Sequence, residues 1–222
     1  MYILKSQQFE DEELIEYAAS MSKKEGTLQD KLLHWDLGPL MTMAYTQNAK
    51  NYLFSDGPVP FHWDGAFYVE PRFLLFYCTE SQGTGGETIF CNTERVWLSL
   101  SESEKERCRK IRLRYSTEKL AHYGGVIEVP LVQTHPASGR TILRMAEKVT
   151  TSLNPVELEI LGTEDQTEFY HWLVEKLYCP EFLYNHSWEK GDLVICDNFT
   201  YLHGRKALAN NLKRSFKRLQ IL

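Results

Sequence analysis

Phe73-Leu74-Leu75-Phe76-Tyr77-Cys78 and Glu87-Thr88-Ile89-Phe90-Cys91 are two apolar runs of strand length, separated by a stretch that holds Gly83-Thr84-Gly85-Gly86. Both are rich in aromatic and aliphatic side chains that fit a pleated surface. With glycines between them, they read as a hairpin. Further along, Ile111 to Tyr115 alternates apolar with basic residues, as a half-buried strand does. Val126 to Thr134 and Thr141 to Arg144 read as strands around a Ser138-Gly139 turn, and Asp192 to Cys196, Thr200 to His203 and Ser215 to Leu222 complete the strand inventory. Helical spacing appears over Glu10 to Met21, Thr93 to Leu100, Glu102 to Lys110 and Asn154 to Tyr178, the last with Phe169, Trp172, Leu173 and Leu177 on one face. Many short strands with glycine turns and flanking helices predict a mainly β fold, a distorted double-sheet jelly roll. A doubly wound parallel sheet fits poorly, because strands and helices do not alternate regularly and no glycine-rich phosphate loop is present.

A chain of 222 residues with 43% hydrophobic side chains has enough apolar material for one domain spanning residues 1–222. The net charge of −5, with basic residues dispersed except at Lys213, Arg214, Lys217 and Arg218, speaks against a general nucleic-acid binder. Five cysteines, no Cys-x-x-Cys pair and no export signal place the chain in the reducing cytoplasm. No apolar run reaches the roughly 18 to 20 residues that span a bilayer, so no membrane partner is expected. Homo-oligomerisation stays open.

Chemistry concentrates at Phe61-His62-Trp63-Asp64, which follows an irregular stretch punctuated by Gly38-Pro39, Asp56-Gly57-Pro58 and Pro60. In extended chain, residues i and i+2 point to one face, so His62 and Asp64 can chelate one ion while Trp63 packs behind. His203, near the end of the apolar strand pair Leu193 to Cys196 and Tyr201 to Leu202, is the candidate third ligand. Two imidazoles and one carboxylate suit a half-open iron site. The same set can hold zinc for hydrolysis, and a noncatalytic jelly-roll binding module is a further alternative. Arg214, eleven residues after His203, fits a turn and return along an adjacent strand and offers a guanidinium for a distal carboxylate. The Thr88 hydroxyl can add a hydrogen bond to it. Arg214 and Arg218 share one face of an extended strand, which favours an inward-facing pair over a nucleic-acid patch.

His62-Trp63-Asp64, Gly85-Gly86-Glu87-Thr88, and Asn198-Phe199-Thr200-Tyr201-Leu202-His203-Gly204-Arg205 followed by Arg214-Ser215-Phe216-Lys217-Arg218 resemble, in order and spacing, the taurine dioxygenase-like (TauD/TfdA) family of Fe(II)/2-oxoglutarate oxygenases. The likeness runs from about Phe61 to the C-terminal end. It implies a double-stranded β-helix, iron on His62, Asp64 and His203, and 2-oxoglutarate held by Thr88 and Arg214, with O2 as co-oxidant. Pro58 stands where the taurine enzymes place an Asn that contacts the amino sulfonate, which argues against taurine. Arg218 matches the second Arg of the family's pair, which can meet an anionic substrate. An intact Asp64 argues against a halogenase. Pro60-Phe61-His62-Trp63-Asp64-Gly65 is also similar to dioxygenases of isonitrile pathways that oxidise tyrosine or tryptophan isonitriles. The expected reaction is hydroxylation or desaturation of an amino-acid-derived small molecule.

Several other side chains carry two readings. Trp63, Phe67, Tyr68, Phe73, Phe76 and Tyr77 read first as core and second as pocket walls for an aromatic substrate. Phe67 is a candidate substrate contact, as are Tyr123 and His122 in the loop before Gly124-Gly125. His34, His135, His171 and His186 read as structural or exposed, and the cysteines as small buried apolar residues.

Overall fold

The β4 strand, Phe73–Gln82, is apolar along most of its length because both of its faces are covered. Leu75 and Tyr77 point to one side, where they meet Leu14, Ala18 and Ala19 of helix α1, Asp11–Ser20. Leu74, Phe76 and Cys78 point to the other side and pack against Phe90 and Trp188. This alternation is the period-two geometry of a strand in the middle of a three-layer stack. The computed structural model describes residues 1–44, 49, 51–82, 85–120, 123–208 and 213–222.

The larger sheet runs in the order β1 (Tyr2–Leu4), β12 (Leu193–Asp197), β4, β14 (Lys213–Ile221), β2 (Met41–Ala44), with every neighbour antiparallel. The smaller sheet runs β11 (Leu183–His186), β5 (Thr88–Asn92), β13 (Tyr201–Arg205), β3 (Val59–His62), also antiparallel throughout. Side chains of the two sheets interleave, and the outer face of the smaller one is closed by α3 (Thr93–Ser99), α5 (Gln166–Leu177) and a third sheet of β10 (Glu157–Leu161), β6 (Arg112–Leu120) and β7 (Tyr123–Pro130). A two-stranded ribbon, β8 (Val132–Thr134) with β9 (Thr141–Leu143), turns through Ser138-Gly139 as expected. Short α2 (Leu28–Lys31) and α4 (Glu102–Arg109) complete the α-helices among the described residues. The architecture is the double-sheet jelly roll with flanking helices.

Three expectations change. The apolar runs of β4 and β5 do not form a hairpin, since each lies in a different sheet and the chain crosses the sandwich between them. A strand buried on both faces needs two long partners, and β12 and β14 supply them to β4. For the same reason β12 and β13 are not a pair. The stretch from Asn154 to Tyr178 is not one helix. Its first part is β10, paired with β6, and Gly162 at φ +91° makes the turn before α5. Leu158 and Ile160 face inward at spacing two, a short signal outweighed in the sequence by the longer helical period after it. Gly83, Thr84 and His122 lie outside the described residues.

Gly65 follows Asp64 at φ +83°, and a Cβ there would stand 2.1 Å from the Val69 carbonyl oxygen. Gly65→Ala is therefore expected to cost about 1 to 3 kcal/mol. Gly139→Ala has positive φ but open space around it and should cost less. Paired denaturant melts check the order, and equal losses would contradict the close approach at Gly65.

Candidate active site

β3 and β13 are antiparallel neighbours with His62 directly opposite His203, so the two rings lie side by side with centroids 4.1 Å apart. The chain leaves β3 at His62 and turns. Asp64 Oδ1 thereby comes to 3.9 Å from His62 Nε2 and 3.7 Å from His203 Nε2. The three ligand atoms all lie within 4.8 Å of one another, the two-histidine, one-carboxylate face of a non-haem iron site. Trp63 points the other way into the core, edge-on to Tyr115. His62 Nδ1 lies 2.9 Å from the Pro60 carbonyl oxygen, which can only accept, so Nδ1 carries the proton and Nε2 keeps its lone pair for a metal.

Protonation states match that task. Burial lowers the pKa of His62, and burial followed by the neighbouring His62 lowers that of His203 further, so both imidazoles are neutral at physiological pH. For Asp64 burial opposes ionisation, but the Arg218 guanidinium, then His203 and His62, hold the carboxyl below the ordinary carboxylate range. The carboxylate is divided. Oδ1 faces the histidines, while Oδ2 accepts from Arg218 Nη2 and, at 2.8 Å, from Gln220 Nε2. Asn198 fixes the backbone behind it, accepting from Asp64 N at 2.9 Å and donating to the Asp64 and Pro71 carbonyls.

Thr88 on β5 and Arg214 on β14 meet across the sandwich, where Arg214 Nη2 donates to Thr88 Oγ1 at 3.1 Å. This corrects the expected return along an adjacent strand: β13 and β14 belong to opposite sheets, and the guanidinium approaches from the facing layer. It lies 4.2 Å over the Phe216 ring. Its Nε and Nη1 are buried without a partner among the described residues, and burial, then the charge of Arg205, lowers its pKa. A cation so placed favours a bound anion. Lys217 points outward to Asp11 at 3.0 Å, so Arg214 and Arg218 do share the inward face.

Two cavities meet here. A small one of about 70 Å³ is bordered by His62, Thr88, Trp188, His203, Arg214 and Arg218. A larger one of about 320 Å³ has aromatic walls that include Trp35, Tyr52, Phe67, Tyr68 and Tyr123, and reaches His62, Asp64 and Arg218. Phe67 and Tyr123 touch edge to face at 5.5 Å. Phe76 borders the small cavity, whereas Phe73 and Tyr77 belong to the core beneath α1. Arg218 borders both cavities, but its nearest anion is Asp64. His135 is structural, paired with Asp197 at 3.0 Å, as is His186 with Asp192 at 3.1 Å.

Gln220, Asn198, Trp188 and Arg205 were not singled out from the sequence. Gln220 had a usable signal, since it follows Arg218 by two on a strand and so shares its face. Arg205 donates to the carbonyls of Leu53, Ser55 and Gly57 and so ties the loop that borders the larger cavity to the strand of His203. Neutral imidazoles, an ionised carboxylate and a buried guanidinium with two unmatched donors fit iron and an anionic cosubstrate.

The family model of the taurine catabolism dioxygenase TauD, TfdA family matches residues 1–220, and the chain belongs to this family. It is an Fe(II)- and 2-oxoglutarate-dependent oxygenase that acts on a small molecule with O2. It is 42% identical over 200 residues to the 3-((Z)-2-isocyanoethenyl)-1H-indole synthase of Fischerella ambigua, covering 86% of this chain and 73% of the relative. It is 34% identical over 201 residues to the tyrosine isonitrile desaturase of Pseudomonas aeruginosa, covering 86% of this chain and 68% of that enzyme. The solved structure of PvcB, an Fe, alpha-ketoglutarate dependent oxygenase from an isonitrile synthetic pathway, aligns with TM-score 0.75 and 29% identity over 96% of this chain and 71% of that one.

Arg218→Met removes the charge that keeps Asp64 ionised, and Fe(II) affinity near neutral pH should fall by about 10- to 100-fold. Anaerobic Fe(II) titration reads this, and unaltered affinity would refute the role of Arg218. The histidines give a pH signature. His62, His203 and His186 all have folded pKa values below the unfolded value near 6.5, with burial the first cause in each. As pH falls through about 6.5 the unfolded chain binds protons that the fold refuses, so metal-free stability falls by at most about 1.4 kcal/mol per pH unit per histidine. Loss of Asp64 ionisation enters only below about pH 4. Urea melts between pH 7 and 5 check the slope, and a flat profile would exclude it.

Proposed function

We propose that this oxygenase desaturates an isonitrile derivative of tryptophan or tyrosine. The observation that carries the reading is the larger cavity, whose walls of Trp35, Tyr52, Phe67, Tyr68 and Tyr123 suit a flat aromatic ring and whose inner end is formed by His62, Asp64 and Arg218. The names of the two curated relatives support the same substrate class. In this reading His62, Asp64 and His203 hold Fe(II), Arg214 and Thr88 hold the far carboxylate of 2-oxoglutarate in the smaller cavity, and Phe67 and Tyr123 contact the substrate ring. Arg218 acts mainly through Asp64.

Bound iron, 2-oxoglutarate and O2 supply the oxidising chemistry: two hydrogens leave the substrate as O2 and 2-oxoglutarate become succinate, carbon dioxide and water. The protein's share is placement. Arg218 and Gln220 keep Asp64 Oδ2 occupied, so Oδ1 is the carboxylate oxygen that would be free to hold a metal beside the two histidines. Arg205 holds Leu53 at the boundary of both cavities, and the aromatic walls exclude water that would dissipate the oxidant. A hydrolase would have no use for the buried Arg214 and Thr88 pair.

Residues 1–222 are read as one oxygenase domain working in the cytoplasm, without a nucleic-acid or membrane partner. No helix among the described residues is long and apolar enough to cross a membrane. Expression of this chain alone as soluble, Fe(II)-binding protein checks the domain assignment.

The decisive assay incubates the Fe(II)-loaded protein with 2-oxoglutarate, O2 and tryptophan or tyrosine isonitrile. Succinate should form together with a product lacking two hydrogens, and His203→Ala should abolish both. Succinate release stimulated only by free amino acids, or a product gaining oxygen, would overturn the substrate or the outcome respectively.

A further inference from the structure

Thr88 Oγ1 receives two hydrogen bonds, one from Trp188 Nε1 at 2.8 Å and one from Arg214 Nη2 at 3.1 Å. A hydroxyl has two acceptor lone pairs and one proton. Indole N–H and guanidinium N–H are donors only, so both lone pairs are taken and the remaining capacity of Thr88 is its O–H. Thr88 is buried and borders the small cavity, as does Arg214, whose Nε and Nη1 are buried without a partner among the described residues. At Thr88 and Arg214, that end of the cavity therefore presents side-chain donors.

Trp188 borders the same cavity, and its N–H is directed at Thr88. Its ring is held edge-on by His186 at 4.4 Å and by Phe216 at 4.6 Å, and His186 is itself fixed by Asp192 at 3.1 Å. His186 stands opposite Thr88 in the pairing of β11 with β5, so the indole reaches Thr88 from a strand register that sets its height. Nothing in iron chemistry requires an indole N–H at this place. Without it, one lone pair of Thr88 would be free, and the hydroxyl could turn to accept as readily as to donate.

We propose that Trp188 is a positioning residue that commits Thr88 to donate, and so makes the cosubstrate end of the site selective for an ionised carboxylate over a neutral amide. A carboxylate accepts only and matches a donor-lined pocket, whereas an amide NH2 directed at the same groups finds no acceptor. The inference rests on the reading of Thr88 and Arg214 as the 2-oxoglutarate anchor.

The test is anaerobic calorimetry on the Fe(II)-loaded protein with 2-oxoglutarate and with its 5-amide, 2-oxoglutaramate. Arg214→Gln should weaken 2-oxoglutarate by tenfold or more, and if it does not, the anchor reading itself fails. Trp188→Phe should weaken 2-oxoglutarate by about tenfold and the amide by less, narrowing the preference between them. In a Thr88→Val background the same change should cost less than twofold, since no hydroxyl is left to orient. An equal loss in both backgrounds, or no loss in the native one, overturns the role of Trp188 while an Arg214→Gln defect leaves the anchor standing. Should Trp188→Phe fail to fold, benzothienylalanine at position 188 keeps the bicyclic shape without the N–H and is read by the same criteria.

Discussion

The Asp64 carboxylate is shared between two opposed demands, and the active site depends on the division. One oxygen faces His62 and His203 from the smaller sheet, and the other is held by Arg218 and Gln220 from the larger one. A carboxylate buried this deeply would otherwise take up a proton and cease to be a metal ligand. Arg218 prevents that, and Asn198 holds the turn that delivers Asp64 to both sheets. The metal face is thus a crosslink of the jelly roll as well as a site within it.

The two cavities on either side of that crosslink are built from different chemistry. The smaller is donor-lined and cationic at the Thr88 and Arg214 end, which suits an acid. The larger is aromatic, which suits a flat ring. Their common border at His62 and Arg218 joins the two spaces beside the metal-ligand set, the kind of proximity that an enzyme needs to hold two reactants together.

Much of the site was legible in the sequence because its parts lie on strands or strand ends with simple periodicity. His62 and Asp64 share a face at spacing two, as do Phe216, Arg218 and Gln220 farther along. The apolar run of β4 announced a strand, yet it could not announce its partners. The reading of β4 and β5 as a hairpin followed from proximity in the chain, while the fold pairs each with strands far away. Likewise the helical period around Phe169 concealed the short strand β10, whose two inward residues carry little signal against a longer amphipathic face.

Residue type and spacing, with the family resemblance they carry, pointed to a two-histidine, one-carboxylate metal set, an arginine and threonine suited to an acid, and a β-rich double-sheet fold. Only the tertiary structure decided that Arg214 reaches Thr88 across the sandwich and not along its own sheet, that Arg218 serves Asp64, and that Trp188 donates to Thr88. These contacts join strands from opposite layers or residues about a hundred positions apart. Local pattern encodes which face of a strand a side chain takes, but not which face of which other strand it will meet.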